Sequence, residues 1–256
     1  MLATAIVTFA VLRLQAATVL TEPFTYSNGS LITVSSGLWA THSGISGQVD
    51  VASGKVNLTA SETEDVNTSI AGGPGLFYNS GTLTATFDVT FSALPTASGS
   101  YFAHYKDSTT IGFRGRVFAT TTGAVAGSFR LAIADTSTAV AGTVSFPTDL
   151  SLGTTYSVTL SLDVAAGRSS LSVNGGTAVT ATDTTSFLPI FSFALRQNSG
   201  EGTLTFDNLV VDASALAIPE PSTFVTLFGG IGLLVGFRRL RRASGQSRRA
   251  RSSSFV

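Results

Sequence analysis

Cysteine is absent from the 256 residues of the chain, and there are only two histidines, one tryptophan and one methionine. Without cysteine there is neither a disulfide bond nor a thiolate metal site, so the fold depends on its hydrophobic core. The sequence also has no phosphate-binding loop, no Rossmann glycine pattern and no zinc spacing of cysteine and histidine. These absences exclude zinc modules and the common nucleotide-binding enzymes.

Positive charge is scarce over most of the chain. Residues 18–217 carry seven basic side chains against fourteen acidic ones, a net charge of about minus seven, and arginines beyond them restore neutrality. A protein that binds nucleic acid needs a basic face for the phosphates. We therefore expect no nucleic-acid partner.

The first 17 residues, MLATAIVTFAVLRLQAA, are typical of a secretory signal peptide. An apolar run from Leu2 to Leu12 ends at Arg13, and the small residues Ala16 and Ala17 follow it. The alternative is a buried first strand or helix. Export is consistent with a bacterial exterior, where a cysteine-free protein is held together by its core.

The chain ends in a short apolar segment followed by arginines. Residues 222–237 carry no charge and are predicted to form a transmembrane helix, although their uncharged core of fourteen residues spans only about 21 Å of a bilayer interior of ~30 Å. Flanking arginines extend its reach and mark the cytoplasmic side. These topology residues are Arg238, Arg239, Arg241 and Arg242. Residues 243–256 are predicted to be a basic, disordered cytoplasmic tail.

Pro219, Glu220 and Pro221 stand immediately before that segment. The triplet, the glycine-rich apolar segment and the arginines together resemble the PEP-CTERM sorting signal over residues 218–242. The resemblance implies recognition of the triplet by an exosortase-type enzyme, a transient inner-membrane anchor, removal of the helix, and delivery to the cell surface or extracellular matrix. A permanent C-terminal membrane anchor is the alternative.

Residues 18–217 show alternation with a period of two, which predicts β-strands with one buried face. The clearest runs are TLTATFDVTF, YSVTLSLDV, SFRLAIA and FSFALRQ. A phase shift in LTFDNLVV predicts a bulge near Asp207 and Asn208, and Asn174-Gly175-Gly176 predicts a hairpin turn. With no helical period and no repeat, we predict one all-β domain, an antiparallel β-sandwich of the jelly-roll type.

The first and last predicted strands, EPFTYSNGSLITVSSGLWATHSG and GTLTFDNLVVDA, resemble those of concanavalin-like (LamG-type) jelly-roll domains. The resemblance implies a glycan-binding or matrix protein, and some relatives are glycosidases.

Candidate site residues fall into three groups. Trp39, His42 and Tyr105 are the candidates for ligand binding, with Tyr105 in the run YFAHYKD, although the only tryptophan is also a natural core residue. The acidic stretch SETEDVN offers Glu62, Glu64 and Asp65 as carboxylates for a glycosidase. Neither the strand pattern of the glycosidase relatives nor a neighbouring tryptophan accompanies them, so we predict no catalytic residue.

No organic cofactor is predicted, and calcium is the one ion for which the chain offers ligands. Asp207 and Asp212, beside the closing strand, are the metal candidates, although no known calcium-loop pattern surrounds them.

These observations predict an exported bacterial surface or matrix protein that is not an enzyme. It would bind glycan or act as an adhesin, with the host's exopolysaccharide as a partner. Two alternatives stay open: a glycosidase or polysaccharide lyase of the concanavalin-like fold, and a structural coat protein that assembles with itself.

Overall fold

A computed structural model of the chain describes residues 16–73, 75–108, 112–183, 189–214 and 218–219. Most of the predicted signal peptide, Glu220 and Pro221 of the sorting triplet, the predicted transmembrane helix, its four arginines and the tail lie outside the described residues. None of the helices among the described residues has the length and apolar content needed to cross a membrane. The chain divides into two compact units, one ending at Ala217 and one beginning at Ile218.

Strands account for nearly all regular structure among the described residues. The first half of the chain contains β1 (Ala17–Glu22), β2 (Gly29–Ser30), the short helix α1 (Leu31–Val34), β3 (Ala40–Ser43), β4 (Asp50–Ala52), β5 (Lys55–Leu58), β6 (Asp65–Ser69), β7 (Leu76–Phe77), β8 (Thr82–Ala93), β9 (Ser100–Lys106) and β10 (Phe113–Thr120). The second half contains β11 (Ser128–Ala134), a 3₁₀ turn (Val140–Gly142), β12 (Val144–Ser145), β13 (Leu150–Ser151), β14 (Thr155–Asp163), β15 (Arg168–Val173), β16 (Val179–Thr180), β17 (Ser192–Arg196), β18 (Thr203–Ala213) and β19 (Ile218–Pro219).

Two antiparallel sheets form the first unit. Among the described residues, sheet A has the order β16-β15-β14-β8-β18-β5-β4-β2, with β1 also paired to β18. Sheet B has the order β12-β11-β10-β9-β17-β6-β3, with β13 also paired to β11. The prediction of an all-β antiparallel sandwich is confirmed.

The long strands carry the alternation that the sequence predicts. In β8, Leu83, Phe87 and Phe91 are buried while the threonines between them are partly or fully exposed. The buried side chains of both sheets meet in one aromatic-rich core, where the rings of Phe87 and Phe206 stack with centroids 4.6 Å apart. The threonine and serine positions therefore mark the outer face of sheet A.

The predicted bulge in β18 is confirmed. The pairing of β18 with β8 shifts between Asp207 and Val210, and Asn208 adopts a positive φ of 53°. On its other edge β18 pairs with β5 before the bulge and with β1 after it. The predicted hairpin is also present, since β15 pairs with β16 across the Asn174-Gly175 turn.

Candidate functional site

The outer face of sheet B departs from simple alternation, because it is buried as well. All seven residues of β9 are buried, and so are four of the five in β17. A second apolar cluster on this face is formed by Tyr101, Phe118, Ala132 and Ala134, with Phe113 and Val140 packed against it. We call this outer surface of β3, β6, β17, β9 and β10 the cleft face. Burial of a second face means that protein covers most of this surface and that ligand access is confined to any groove left open along it.

The register of the strands places polar side chains in two rows across the cleft face. Ser69, Ser192 and Lys106 lie side by side on β6, β17 and β9. The next row contains Asn67, Ala194 and His104. A groove of about 500 Å³ opens over the first row and extends to the Gly72–Gly75 loop and Phe191. This volume lies in the range of small-ligand sites.

Both histidines of the chain meet on the cleft face. Strands β17 and β6 separate β9 from β3, a span of roughly 14 Å at the usual strand spacing. Nevertheless, the ring centroids of His104 and His42 are only 6.2 Å apart, and both rings contact Phe113. His42 lies where the pairing of β3 with β6 shifts register, between Thr41 and Ser43. The two side chains therefore lean towards each other across β17 and β6.

Both imidazoles are neutral near pH 7. Burial, and secondly the charge of Lys106, lowers the pKa of His42 to about 4. Burial, followed by the charges of His42 and of the arginines nearby, holds the pKa of His104 well below its usual range. Within the described part of the chain, none of the four ring nitrogens has a hydrogen-bond partner. A buried polar group left without a partner costs about 1–3 kcal/mol, so this arrangement favours a ligand that supplies the partners.

Tyr101 lies beside two guanidinium groups. The Cζ atoms of Arg116 and Arg196 lie 5.1 and 4.3 Å from its ring centroid. Arg196 also donates to Ser100 Oγ at 2.7 Å and lies 3.8 Å from the carboxylate of Asp65. The ring of Tyr101 is thus held beside two positively charged side chains on the cleft face.

The cleft face concentrates positive charge in an otherwise acidic unit. Four of the seven basic residues within residues 18–217 come from the neighbouring strands β10, β9 and β17. They are Lys106, Arg114, Arg116 and Arg196. An acidic ligand would therefore be attracted to this face despite the net negative charge of the unit.

The structure separates the three residues predicted to bind ligand. His42 lies on the cleft face, whereas Trp39 and Tyr105 lie in the core with 1% and 0% of their surfaces exposed. The indole Nε1 of Trp39 donates to Glu22 Oε2 at 3.2 Å, which places Trp39 in the core alternative considered for it. Neither ring offers a face on which a sugar can stack.

The predicted acidic stretch does not form an open pair of carboxylates. Glu64 is fully buried, and its two carboxylate oxygens accept hydrogen bonds from Thr41 Oγ1 at 2.5 Å and the Val49 amide at 2.6 Å. Asp65 accepts from Ser43 Oγ at 2.7 Å and faces Arg196, and Glu62 is half-buried. The Glu64 carboxylate therefore ties two segments of the fold together.

The calcium candidates lie on the outer face of sheet A, each with a protein partner. Asp207 lies 3.7 Å from Lys55 Nζ and accepts from the Asn208 amide, and Asp212 accepts from Thr18 Oγ1 at 2.6 Å. Across the described ranges, no three His, Asp or Glu side chains are grouped closely enough to hold a metal ion.

Sequence reasoning found part of the cleft face. The run YFAHYKD contains Tyr101, His104 and Lys106, but it was Tyr105 of this run that was selected. Tyr105 points to the core because it alternates with His104 and Lys106, whereas the register shift between Val117 and Phe118 places Tyr101 on the outer face. The arginines were missed because single arginines on separate strands leave no pattern in a sequence.

The comparisons with known proteins identify a fold. No family model and no curated protein matches the chain. Among solved structures, a sialidase is similar at 14% identity over 73% of this chain, with a TM-score of 0.50, and the chain spans only 18% of the sialidase's length. An alginate lyase from Pseudomonas aeruginosa is 17% identical, with a TM-score of 0.41; the match covers 59% of this chain and 74% of the lyase. The metal-free carbohydrate recognition domain of Emp46p matches at 9% identity, 77% and 96% coverage and a TM-score of 0.48.

The prediction that the protein is not an enzyme is contradicted by these comparisons. A sialidase, which is an enzyme, is among the structures that share the fold, so the fold does not exclude catalysis. The prediction depended on the absence of a suitable carboxylate pair, which a glycosidase requires. That absence does not bear on an elimination reaction, because elimination uses other proton-transferring groups.

Proposed function

We propose that the protein is a polysaccharide lyase that binds an acidic glycan along the cleft face. The observation that carries this proposal is the groove over Lys106, on a sheet face that also carries two neutral histidines and two arginines in an otherwise acidic unit. Cations at a cleft attract and orient a polyanion.

The chemistry of a lyase accounts for the residue types on this face. A base removes the proton beside the sugar carboxylate, the bond from the neighbouring carbon to the glycosidic oxygen breaks, and the departing oxygen takes up a proton. Positive side chains near the carboxylate stabilise the charge that develops during proton removal. Tyr101 is the candidate for proton transfer, with Arg116 and Arg196 beside its ring.

The test is cleavage of acidic polysaccharides by the purified full-length chain. Polygalacturonate, alginate and hyaluronan serve as substrates and dextran as the neutral control, with the ultraviolet absorbance of the unsaturated product as the readout. Tyr101→Phe should abolish cleavage and retain binding, while Lys106→Gln should weaken binding. Lys55→Gln, on the outer face of sheet A, is the matched control and should match the native protein. Binding to every polyanion without cleavage would contradict the lyase, and binding to none would also remove the glycan site.

We also propose that the chain is exported and sorted to the cell surface or extracellular matrix. The support is the order of the triplet at Pro219–Pro221, the apolar segment and the arginines, together with the signal-like first 17 residues. An exosortase-type enzyme would recognise the triplet while the inner membrane holds the chain transiently. Intact mass of the protein recovered from the cell surface tests this, because processing removes the arginines and a permanent anchor keeps them.

A further inference from the structure

We infer that the groove over Lys106 is a distal subsite of the cleft face, in which one uronate residue of the glycan stacks on the ring of Phe191 and places its carboxylate at Lys106. This inference rests on the proposed function. It assigns Phe191 a role in holding the polymer at a point away from the bond that breaks.

Phe191 is an aromatic side chain outside the core. Its neighbours Ile190 and Phe193 are fully buried in the main cluster, whereas Phe191 is partly exposed, lines the groove and is a member of neither hydrophobic cluster of the described residues. Its ring lies 5.5 Å from that of Phe77, at an interplanar angle of 39°. A large ring that lines a groove instead of packing in the core offers a surface to the apolar C–H face of a sugar.

The backbone holds this ring beside a positive charge. The Phe191 amide donates to the carbonyl of Lys106 at 2.9 Å, and its carbonyl accepts from the Ile70 amide at 3.0 Å. The Lys106 ammonium, which also lines the groove, donates to the backbone carbonyl of Asp107 at 3.1 Å. A uronate offers the matching pair of features, because one ring carries both an apolar face and a carboxylate.

Polar side chains in the same groove provide for the sugar hydroxyls. Asn67 and Ser192 line it, and neither side chain has a hydrogen-bond partner within the part of the chain that the structure describes. The carboxylate of Asp107 is a further acceptor on the groove. A few polar groups around an aromatic surface are the usual composition of a site that orients a small ligand.

The groove lies away from the residue proposed for proton transfer. Lys106 and Tyr101 both belong to β9 and are five residues apart, a separation of roughly 15 Å along the strand. A sugar bound at Phe191 is therefore several units from a sugar at Tyr101. Contacts at that distance are the same in the ground state and the transition state, so their loss should raise KM and leave kcat nearly unchanged.

The experiment compares binding and cleavage by the full-length chain and its variants. The ligands are whichever of polygalacturonate, alginate and hyaluronan the native chain cleaves, and the same polymer after reduction of its carboxylates to alcohols. Phe191→Leu should raise Kd about tenfold for both forms and raise KM about tenfold, with kcat within about twofold of the native value, whereas Phe191→Tyr should bind like the native chain. Lys106→Gln should raise Kd about tenfold for the acidic polymer and less than about twofold for the reduced one.

A matched pair of asparagines separates the groove from the rest of the surface. Asn67→Ala should raise Kd about fivefold, while Asn57→Ala, a partly exposed asparagine on the outer face of sheet A, should bind like the native chain. Urea midpoints show whether each variant is folded. If Phe191→Leu does not fold, this pair and Lys106→Gln still decide the outcome.

The outcomes separate this inference from the proposed function. Native values of Kd and KM in Phe191→Leu and Asn67→Ala would overturn the subsite and leave the lyase standing. An equal effect of Lys106→Gln on the acidic and the reduced polymer would overturn the position given to the carboxylate. A lower kcat with unchanged KM in Phe191→Leu would contradict the distal position. If the native chain neither binds nor cleaves any of the three polysaccharides, the proposed function fails first.

Discussion

Glu201 should make the protein less stable as the pH rises through the neutral range. Its side chain is fully buried in the turn before β18, where one carboxylate oxygen accepts from the Asn198 amide and the other has no partner among the described residues. Burial raises the pKa of this carboxyl from 4.5 to about 8, against the smaller opposing effects of the Asn198 hydrogen bond and Arg196. At pH 7 the folded state therefore holds a proton that the unfolded state has released.

The sign and the size of the effect follow from this difference. A folded-state pKa above the unfolded value stabilises the fold at low pH, and the stabilisation is lost as the pH rises towards 8. Between about pH 6.5 and pH 8 the contribution of Glu201 to the free energy of unfolding should fall by about 1.5 kcal/mol, since one proton corresponds to about 1.4 kcal/mol per pH unit. Asp135, with a pKa of about 6, changes mainly below this window. His42 and His104 have lowered pKa values in the folded state, so each adds about 0.4 kcal/mol as its unfolded-state imidazole loses its proton above pH 6.5, which offsets part of the Glu201 effect.

The assay is urea unfolding at pH 6.5, 7.25 and 8 for the native chain and for Glu201→Gln. The glutamine has nearly the same shape but no titrating proton, so the difference in free energy of unfolding between the variant and the native chain should change by about 1.5 kcal/mol over this window. A native protein whose stability rises with pH, or a Glu201→Gln variant with the same slope as the native chain, would refute the reasoning.

Three substitutions test other buried features by urea unfolding. Glu64→Leu should lower the free energy of unfolding by about 2–4 kcal/mol, because it leaves the Thr41 hydroxyl and the Val49 amide without their hydrogen-bond acceptor. Glu62→Leu should change it by no more than about 0.5 kcal/mol. Trp39→Ala should cost about 3–5 kcal/mol through its cavity, and a loss below 1 kcal/mol would show that this ring is not a core residue. Asp183→Ala removes the acceptor of three consecutive backbone amides and should cost about 2–3 kcal/mol; an unchanged midpoint would mean that water replaces it.

Much of the fold could be predicted because the strands of sheet A obey simple rules. Strand β8 buries every second residue, so the run TLTATFDVTF shows a period of two that predicts a strand. The bulge at Asp207 and Asn208 could be predicted for the same reason, because it shifts the phase of the alternation in β18. Sheet B was harder, because β9 is buried on both faces and its sequence gives no sign of which face lines a cleft.

The candidate site could be predicted only in fragments. His42 was selected, but its partner His104 is 62 positions away and meets it because the strand order of sheet B brings β3 and β9 to the same face. Trp39 was selected for its ring, but it lies in the core, where its indole N–H donates to Glu22, a partner that no local pattern predicts. Residues that converge from separate strands are brought together by the strand order and register of the sheet, which a single sequence does not record.

Cleavage of acidic polysaccharide by the native chain, compared with Tyr101→Phe, tests the central claim most directly. We expect the native protein to release unsaturated ends from at least one of polygalacturonate, alginate and hyaluronan, and the variant to bind the same polymer without releasing them. Equal rates in the two proteins would contradict the role of Tyr101. Absence of both binding and cleavage in the native protein would contradict the assignment of the cleft face as a polysaccharide site.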